Sequence, residues 1–182
     1  ARIVRFLIQF GYAKDPRVRK AIDWLLPIQR GDGMWFCRGA GGRGCLRATL
    51  DVLRLAALDP QTAVQPGITQ AATAVCDLLM EPRMSRYHVG DAWGTWECLK
   101  YPYFGFSVIS ALDALARLGY TLEEPKIAAA VEYLLSRQLP DGTWPLDDSW
   151  SRSPIDFGQP GEPNKWLTLD ALRVVKLLYS QH

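Results

Sequence analysis

Two adjacent carboxylates stand in the string Pro145-Leu146-Asp147-Asp148. Asp147 and Asp148 are the candidate catalytic groups of this sequence. The plainer reading is a solvated loop after a turn. For a metal, zinc takes about four N or S ligands in a tetrahedral array. The chain has only two histidines, and one of them, His182, is the last residue. His88, Cys98 and Asp91 lie within one loop and come nearest to a ligand set, but their spacing follows no zinc pattern. Cys37 and Cys45 flank the run Arg38-Gly-Ala-Gly-Gly-Arg-Gly44. They are candidates for pairing, for a metal, or for ordinary buried thiols. No cofactor is expected.

The glycine-rich run suits an anion. Gly39, Gly41, Gly42 and Gly44 precede a helix expected from about Leu46, and free N–H groups at a helix start attract negative charge. Arg38, Arg43 and Arg47 would add charge-assisted donors. Equivalent helices are expected to begin near Lys100 and Lys165, which puts basic residues at three related starts. Solvated arginines on a flexible hairpin are the alternative. An aromatic set comprises Tyr87, Trp93, Trp96, Tyr101, Tyr103, Phe104, Phe106 and Trp166. Ring faces of this kind line apolar cavities and attract cations, or simply fill a core. The candidate ligand-binding residues are therefore Arg43, Arg47, Tyr101, Tyr103, Phe106, Lys165 and Trp166. Serine-hydrolase, P-loop and Rossmann motifs are not present.

The elements that must position these residues repeat. Residues 15–35 read DPRVRKAIDWLLPIQRGDGMW, and residues 124–144 read EPKIAAAVEYLLSRQLPDGTW. At a constant offset of 109, eight positions are identical, Gln29/Gln138, Gly33/Gly142 and Trp35/Trp144 among them. Asp15-Pro16 and Glu124-Pro125 are helix starts, with an acidic residue at the positive end and Pro where its missing N–H does no harm. Apolar residues then recur at helical spacing, and Asp32-Gly33 and Asp141-Gly142 are turn dipeptides. A second helix type follows each turn. Thr49-Leu-Asp-Val-Leu-Arg54, Ala111-Leu-Asp-Ala-Leu-Ala116 and Thr168-Leu-Asp-Ala-Leu-Arg173 match one another. These second-type helices are expected at about 46–58, 107–118 and 165–179, with Cys45, Ser107 and Asn164 at equivalent capping positions, Cys being the weakest cap. A degenerate first-type helix is expected at about 67–80, without its Gln–Gly–Trp turn, and a leading helix at 3–10. About seven helices result, in pairs spanning 15–58, 67–118 and 124–179, with no strand.

Trp24-Leu25-x-x-x-Gln29-x-x-x-Gly33-x-Trp35 and Tyr133-Leu134-x-x-x-Gln138-x-x-x-Gly142-x-Trp144 resemble the QW motif of squalene-hopene and oxidosqualene cyclases. Protein prenyltransferase β subunits share this repeat class. Asn164-Lys-Trp-Leu-Thr-Leu-Asp-Ala-Leu-Arg173 looks like the last inner helix of bacterial proteins with squalene-cyclase-like repeats, and Lys100-Tyr-Pro-Tyr103 like their loop before an inner helix. The resemblance implies an all-α fold, an α/α toroid, here a partial ring. It also implies a cavity with the basic helix starts at one end. The residues read bottom-up as staples: Gln satisfies free backbone groups at a helix end, Trp covers the turn, and Gly supplies the left-handed backbone. The catalytic sets of these families are not matched. The Asp-x-Asp-Asp acid of the cyclases has Pro145 at its first place, Asp-Asp-x-x-Asp lacks its last Asp at Ser151, and the zinc set of prenyltransferases is missing.

Composition narrows the class further. The chain has 182 residues, 21 Lys and Arg against 19 Asp and Glu, and a net charge of +2. That balance argues against a nucleic-acid partner. Hydrophobic residues at 48% exclude disorder. No apolar run is long enough for a transmembrane helix, and residues 1–10 lack a signal-peptide cleavage site. One cytoplasmic domain is expected. Its function is expected to be handling of an isoprenoid or other apolar ligand; the alternative is a non-catalytic assembly or ligand-binding module. A partial ring is expected to be completed by a second copy or a partner, or by residues before position 1.

Overall fold

The computed structural model of the protein describes residues 1–37, 42, 44–81, 96–102, 106–149 and 155–180. Its elements in chain order are α1 (Arg2–Leu7), a π-type turn (Ile8–Tyr12), α2 (Pro16–Leu25) running into a 3-10 turn (Leu26–Ile28), α3 (Leu46–Ala56), α4 (Pro60–Ala63), α5 (Pro66–Leu78), β1 (Lys100–Tyr101), α6 (Val108–Arg117), α7 (Pro125–Ser136), β2 (Asp148–Ser149) and α8 (Lys165–Tyr179). The fold is all-α. No helix among the described residues is long and apolar enough to cross a membrane.

Several boundaries differ from the sequence expectation. The leading helix stops at Leu7 and continues as a wide turn, because Gly11 takes φ 91° there. A one-turn helix, α4, is added where Asp59 caps Pro60. Two short strands also form. Lys100 pairs with Asp148 and Tyr101 with Ser149, in parallel. The helix after Lys100 starts at Val108, so Lys100 does not mark a helix start.

The chain divides into two compact units. One holds residues 1–78, and the other holds residues 79–81 and the described residues from 96 onward. In the first, α3 packs against α1 and α5. Leu46, Leu50, Leu53 and Leu55 of α3 are buried, as expected of a helix covered on more than one side. An Arg2–Asp51 ion pair at 2.9 Å ties α1 to α3. In the second unit, α6 packs against α7 and α8. Its start is closed by a capping box, with Ser107 Oγ accepting from Ser110 N and Ser110 Oγ accepting from Ser107 N.

The two Gln–Gly–Trp turns are alike bond for bond. Gln29 Nε2 donates to Gly33 O at 2.8 Å, and Gln138 Nε2 to Gly142 O at 2.9 Å. The glycines take φ 80° and 83°, a backbone that a side chain would strain. Trp35 Nε1 donates to Leu25 O at 2.8 Å, and Trp144 Nε1 to Leu134 O at 2.7 Å. Each indole thereby occupies a carbonyl near the end of the preceding helix. The backbone N–H of each Trp donates to a threonine of the following helix, Thr49 at 3.0 Å and Thr168 at 2.9 Å. The carbonyl of each Trp accepts from the capping residue of that helix, Cys45 at 2.7 Å and Asn164 at 2.8 Å. In the first unit Gln29 also donates to Gly67 O at 2.7 Å, which ties the turn to α5. A Cβ at Gly67 would stand 2.2 Å from Gln29 Oε1, so only glycine leaves room for that bond.

Asp59 closes the first unit on its polar side. It is 7% exposed and accepts from Thr62 N, Thr62 Oγ1 and Arg19 Nη1. Burial alone would raise its carboxyl. The hydrogen bonds from Thr62 and Arg19 outweigh burial and hold it below its ordinary 3.8.

Trp35→Phe and Trp144→Phe each remove one hydrogen bond to a buried helix-end carbonyl and are expected to lower unfolding free energy by about 0.5–1.5 kcal/mol in urea denaturation. The lowered Asp59 carboxyl stabilises the fold fully above its ordinary value, and that contribution fades as pH falls through the lower folded value. Asp59→Asn, which keeps a capping oxygen, is expected to flatten the stability-versus-pH curve below about pH 4.

Candidate functional site

The aromatic residues come together at the start of α8. Asn164 caps this helix, with Oδ1 accepting from Trp166 N at 3.1 Å and Leu167 N at 3.0 Å. Its Nδ2 donates to Phe157 O at 2.5 Å. One side chain thus fixes both the helix start and the loop beside it. The β1–β2 pair brings Tyr101 to the same place. Tyr101 stacks on Trp166 with ring centroids 5.7 Å apart and planes 9° from parallel. Phe157 meets Tyr101 edge-on at 5.4 Å. Lys165 Nζ lies 5.3 Å from the Trp166 ring centre, a cation–π contact. Trp166 is 39% exposed, and Tyr101 and Phe157 are half-buried. Partial burial raises the Tyr101 hydroxyl pKa, and the Asp170 carboxylate raises it further. The result is an apolar surface with a cation at its edge.

Phe106 lies elsewhere. It is buried and packs edge-on against Trp96 at 4.8 Å, as core. Tyr103 lies outside the described residues, as do Arg38, Arg43, His88 and Asp91. Arg47 is the second residue of α3 and lines an open groove of about 640 Å³ with Arg2, Cys37 and Asp51. Lys165 is the first residue of α8. Lys100 pairs with Asp148 at 3.0 Å. Basic residues therefore stand at two helix starts, not three, because the start of α6 carries the Ser107–Ser110 box.

The two candidate acids are both paired. Asp147 Oδ2 accepts from Leu99 N at 2.8 Å, and Oδ1 accepts from Arg137 Nη2 at 2.6 Å. Asp147 N donates in return to Leu99 O at 2.8 Å. Arg137 also donates to Tyr133 Oη and Glu97 O. The Asp147 hydrogen bond raises the Arg137 pKa and keeps it a cation. This network joins α7 to the chain segment that leads into β1, so it holds Tyr101 in place. Cys98 is half-buried, and burial, with Asp147 and Asp148 nearby, raises its thiol pKa. Among the described residues no group of three His, Cys, Asp or Glu is placed to hold a metal.

The sequence reading missed Phe157, and it named Trp96 only within the aromatic set, without its place at a turn. Phe157 sits in a Gly- and Pro-rich stretch with no helical or repeat pattern to mark it. Trp96 takes the place of the absent turn tryptophan. It is 2% exposed, and its carbonyl accepts from Val108 N at 3.3 Å at the start of α6. Unlike Trp35 and Trp144, its Nε1 has no hydrogen-bond partner among the described residues. The sequence signal was a tryptophan shortly before each second-type helix, at 35, 96 and 144.

No protein-family profile matches the chain. It is similar to a squalene–hopene cyclase. The similarity is to the "Probable squalene--hopene cyclase" of Sinorhizobium fredii (strain NBRC 101917 / NGR234), at 30% identity over 145 residues. The match takes in 71% of this chain and 21% of that protein, so this chain spans about a fifth of the relative's length. A squalene-cyclase-like relationship agrees with the all-α fold.

Asp147→Ala leaves both the Arg137 guanidinium and the Leu99 N–H without their acceptor, and is expected to lower stability by about 1–3 kcal/mol. Asp148→Ala breaks a solvent-exposed pair and is expected to change it by less than about 1 kcal/mol. Chemical denaturation of the two variants side by side checks the contrast.

Proposed function

We propose that this chain is a squalene-cyclase-like helical-repeat module that binds an apolar, isoprenoid-type ligand on the Tyr101–Phe157–Trp166 surface. The observation that carries this reading is the stacked, half-exposed Tyr101–Trp166 pair with Lys165 over its edge. A flat apolar face accepts a hydrocarbon chain, and the ammonium beside it suits a diphosphate or carboxylate end. The sequence similarity to a squalene–hopene cyclase supports the ligand class. We read the duplicated Gln–Gly–Trp turns as QW motifs and the helices as an arc of an α/α toroid. The paired state of Asp147 and Asp148 favours binding over acid catalysis for this chain by itself.

A second reading, an assembly module, rests on one specific contrast. Leu50 and Leu53 of α3 and Leu112 and Leu115 of α6 are no more than 2% exposed. The matching residues of α8, Leu169 and Leu172, are 42% and 48% exposed. A further helical hairpin, from a second copy or a partner, would cover them.

Titration with a polyprenyl diphosphate is expected to change tryptophan fluorescence, without cyclised product in the extract. Trp166→Ala or Tyr101→Ala is expected to weaken binding roughly tenfold through the lost ring contact. Unchanged affinity in both variants rules out this surface. A native mass at the monomer value, at concentrations well above micromolar, rules out self-assembly.

A further inference from the structure

The first repeat carries a feature that the other two do not. The capping positions of the second-type helices are Cys45, Ser107 and Asn164. Ser107 and Asn164 cap through oxygen, whereas Cys45 offers only sulfur, a weaker acceptor. A weaker cap at the start of an 11-residue helix is a local loss that another role of the sulfur can explain.

That role is visible in what lies beside the sulfur. Cys37 stands two residues beyond Trp35, whose carbonyl accepts from Cys45 N, and the two thiols are neighbours. The backbone sets this up. Cys45 N donates to Trp35 O at 2.7 Å, so the chain leaving the turn runs back past the start of α3 two residues before Cys37. Trp35 and Cys45 are only ten residues apart, whereas Trp144 and Asn164 are twenty apart. Met34 packs beside Gly44, where a Cβ would stand 2.7 Å from its own Cβ, so glycine permits this close return.

The two thiols differ in access. Cys45 is fully buried. Cys37 is half-buried and lines the open groove of about 640 Å³ beside α1 and α3, with Arg47 as a neighbouring cation. A small carboxylate-bearing disulfide can reach Cys37 but not Cys45.

We propose that Cys37 and Cys45 are a redox pair that closes into a reversible disulfide by exchange with a small-molecule disulfide such as oxidised glutathione. The Cys37 thiolate attacks one sulfur of glutathione disulfide. The S–S bond of the reagent breaks, and one glutathione leaves as a thiolate and takes up a proton. Cys45 then gives up its proton and attacks the Cys37 sulfur. The mixed disulfide breaks, and the second glutathione leaves as a thiol. Two protein thiols are oxidised, one glutathione disulfide is reduced to two thiols, and the two protons pass to the glutathiones. Cys37 is the accessible partner, and Cys45 the resolving one. The bond ties the start of α3 to the end of the Trp35 turn. This inference does not rest on the ligand reading above.

The test uses the full chain, reduced and then exposed to oxidised glutathione. Intact mass is expected to fall by about 2 Da, with peptide mapping placing the bond between Cys37 and Cys45. Cys45→Ser puts a better capping atom at the start of α3, so the fold is retained. That variant is expected to hold one glutathione on Cys37. Cys37→Ser is expected to take up none at Cys45. A wild-type chain that stays reduced overturns the proposal. So does a stable Cys37 adduct in the wild type, or a bond from Cys37 to Cys76 or Cys98. If Cys45→Ser fails to fold, the wild-type peptide map decides alone.

Discussion

Free carbonyls at the ends of helices are the constraint on which this structure turns. A short helix followed by a tight turn leaves several acceptors with no partner along the chain. Here side chains from the turn itself add donors, beside the backbone N–H of Arg137 at Leu134 O. The indole N–H of Trp35 reaches Leu25 O, and that of Trp144 reaches Leu134 O. The amides of Gln29 and Gln138 reach the carbonyls of the turn glycines. The same tryptophan offers its backbone to the threonine and the capping residue of the next helix. One residue therefore joins the end of one helix to the beginning of another, and buries a large ring in doing so. Where the motif lapses, at Trp96, the ring and the carbonyl contact persist but the indole N–H has no partner among the described residues.

The surface at the start of α8 depends on that framework. Asn164 receives the carbonyl of Trp144, caps α8 and holds Phe157, so the turn, the helix and the aromatic loop share one residue. Tyr101 arrives from a different part of the chain, through two strand residues and the Leu99–Asp147–Arg137 network. An acidic pair that resembles catalytic chemistry in the sequence acts in the fold as a tie between segments. Both of its members meet cations or backbone donors of the same unit.

Repetition also shows where the three second-type helices diverge. Their leucine patterns are nearly the same, yet burial differs. Leu53 and Leu115 are sealed, and Leu172 is about half exposed. Burial of a helix face is set by the number of neighbours, and the chain alone does not specify that number. Their caps differ too. Serine and asparagine satisfy helix starts with oxygen, while cysteine leaves a sulfur beside a second thiol.

Much was legible before any coordinates. The 3.6-residue spacing, Pro at the first helical position and the paired Gln–Gly–Trp strings place the starts of α2 and α7 and both ends of α3, α6 and α8 to within a residue or two, because these signals act within a few residues of one another. The role of Thr49 and Thr168 was half visible, as the shared first letter of two matching strings. The β1–β2 pair, the pairing of Asp147 with Arg137, the meeting of Tyr101 with Trp166 and Phe157, and the difference between Leu53 and Leu172 were not legible. Local sequence determined which segments coil and how they are capped, since hydrogen bonds one turn away decide that. Only tertiary structure decided which side chains meet across 48 or 65 residues of chain and which apolar faces stay open, because those outcomes depend on packing between segments that no local pattern encodes.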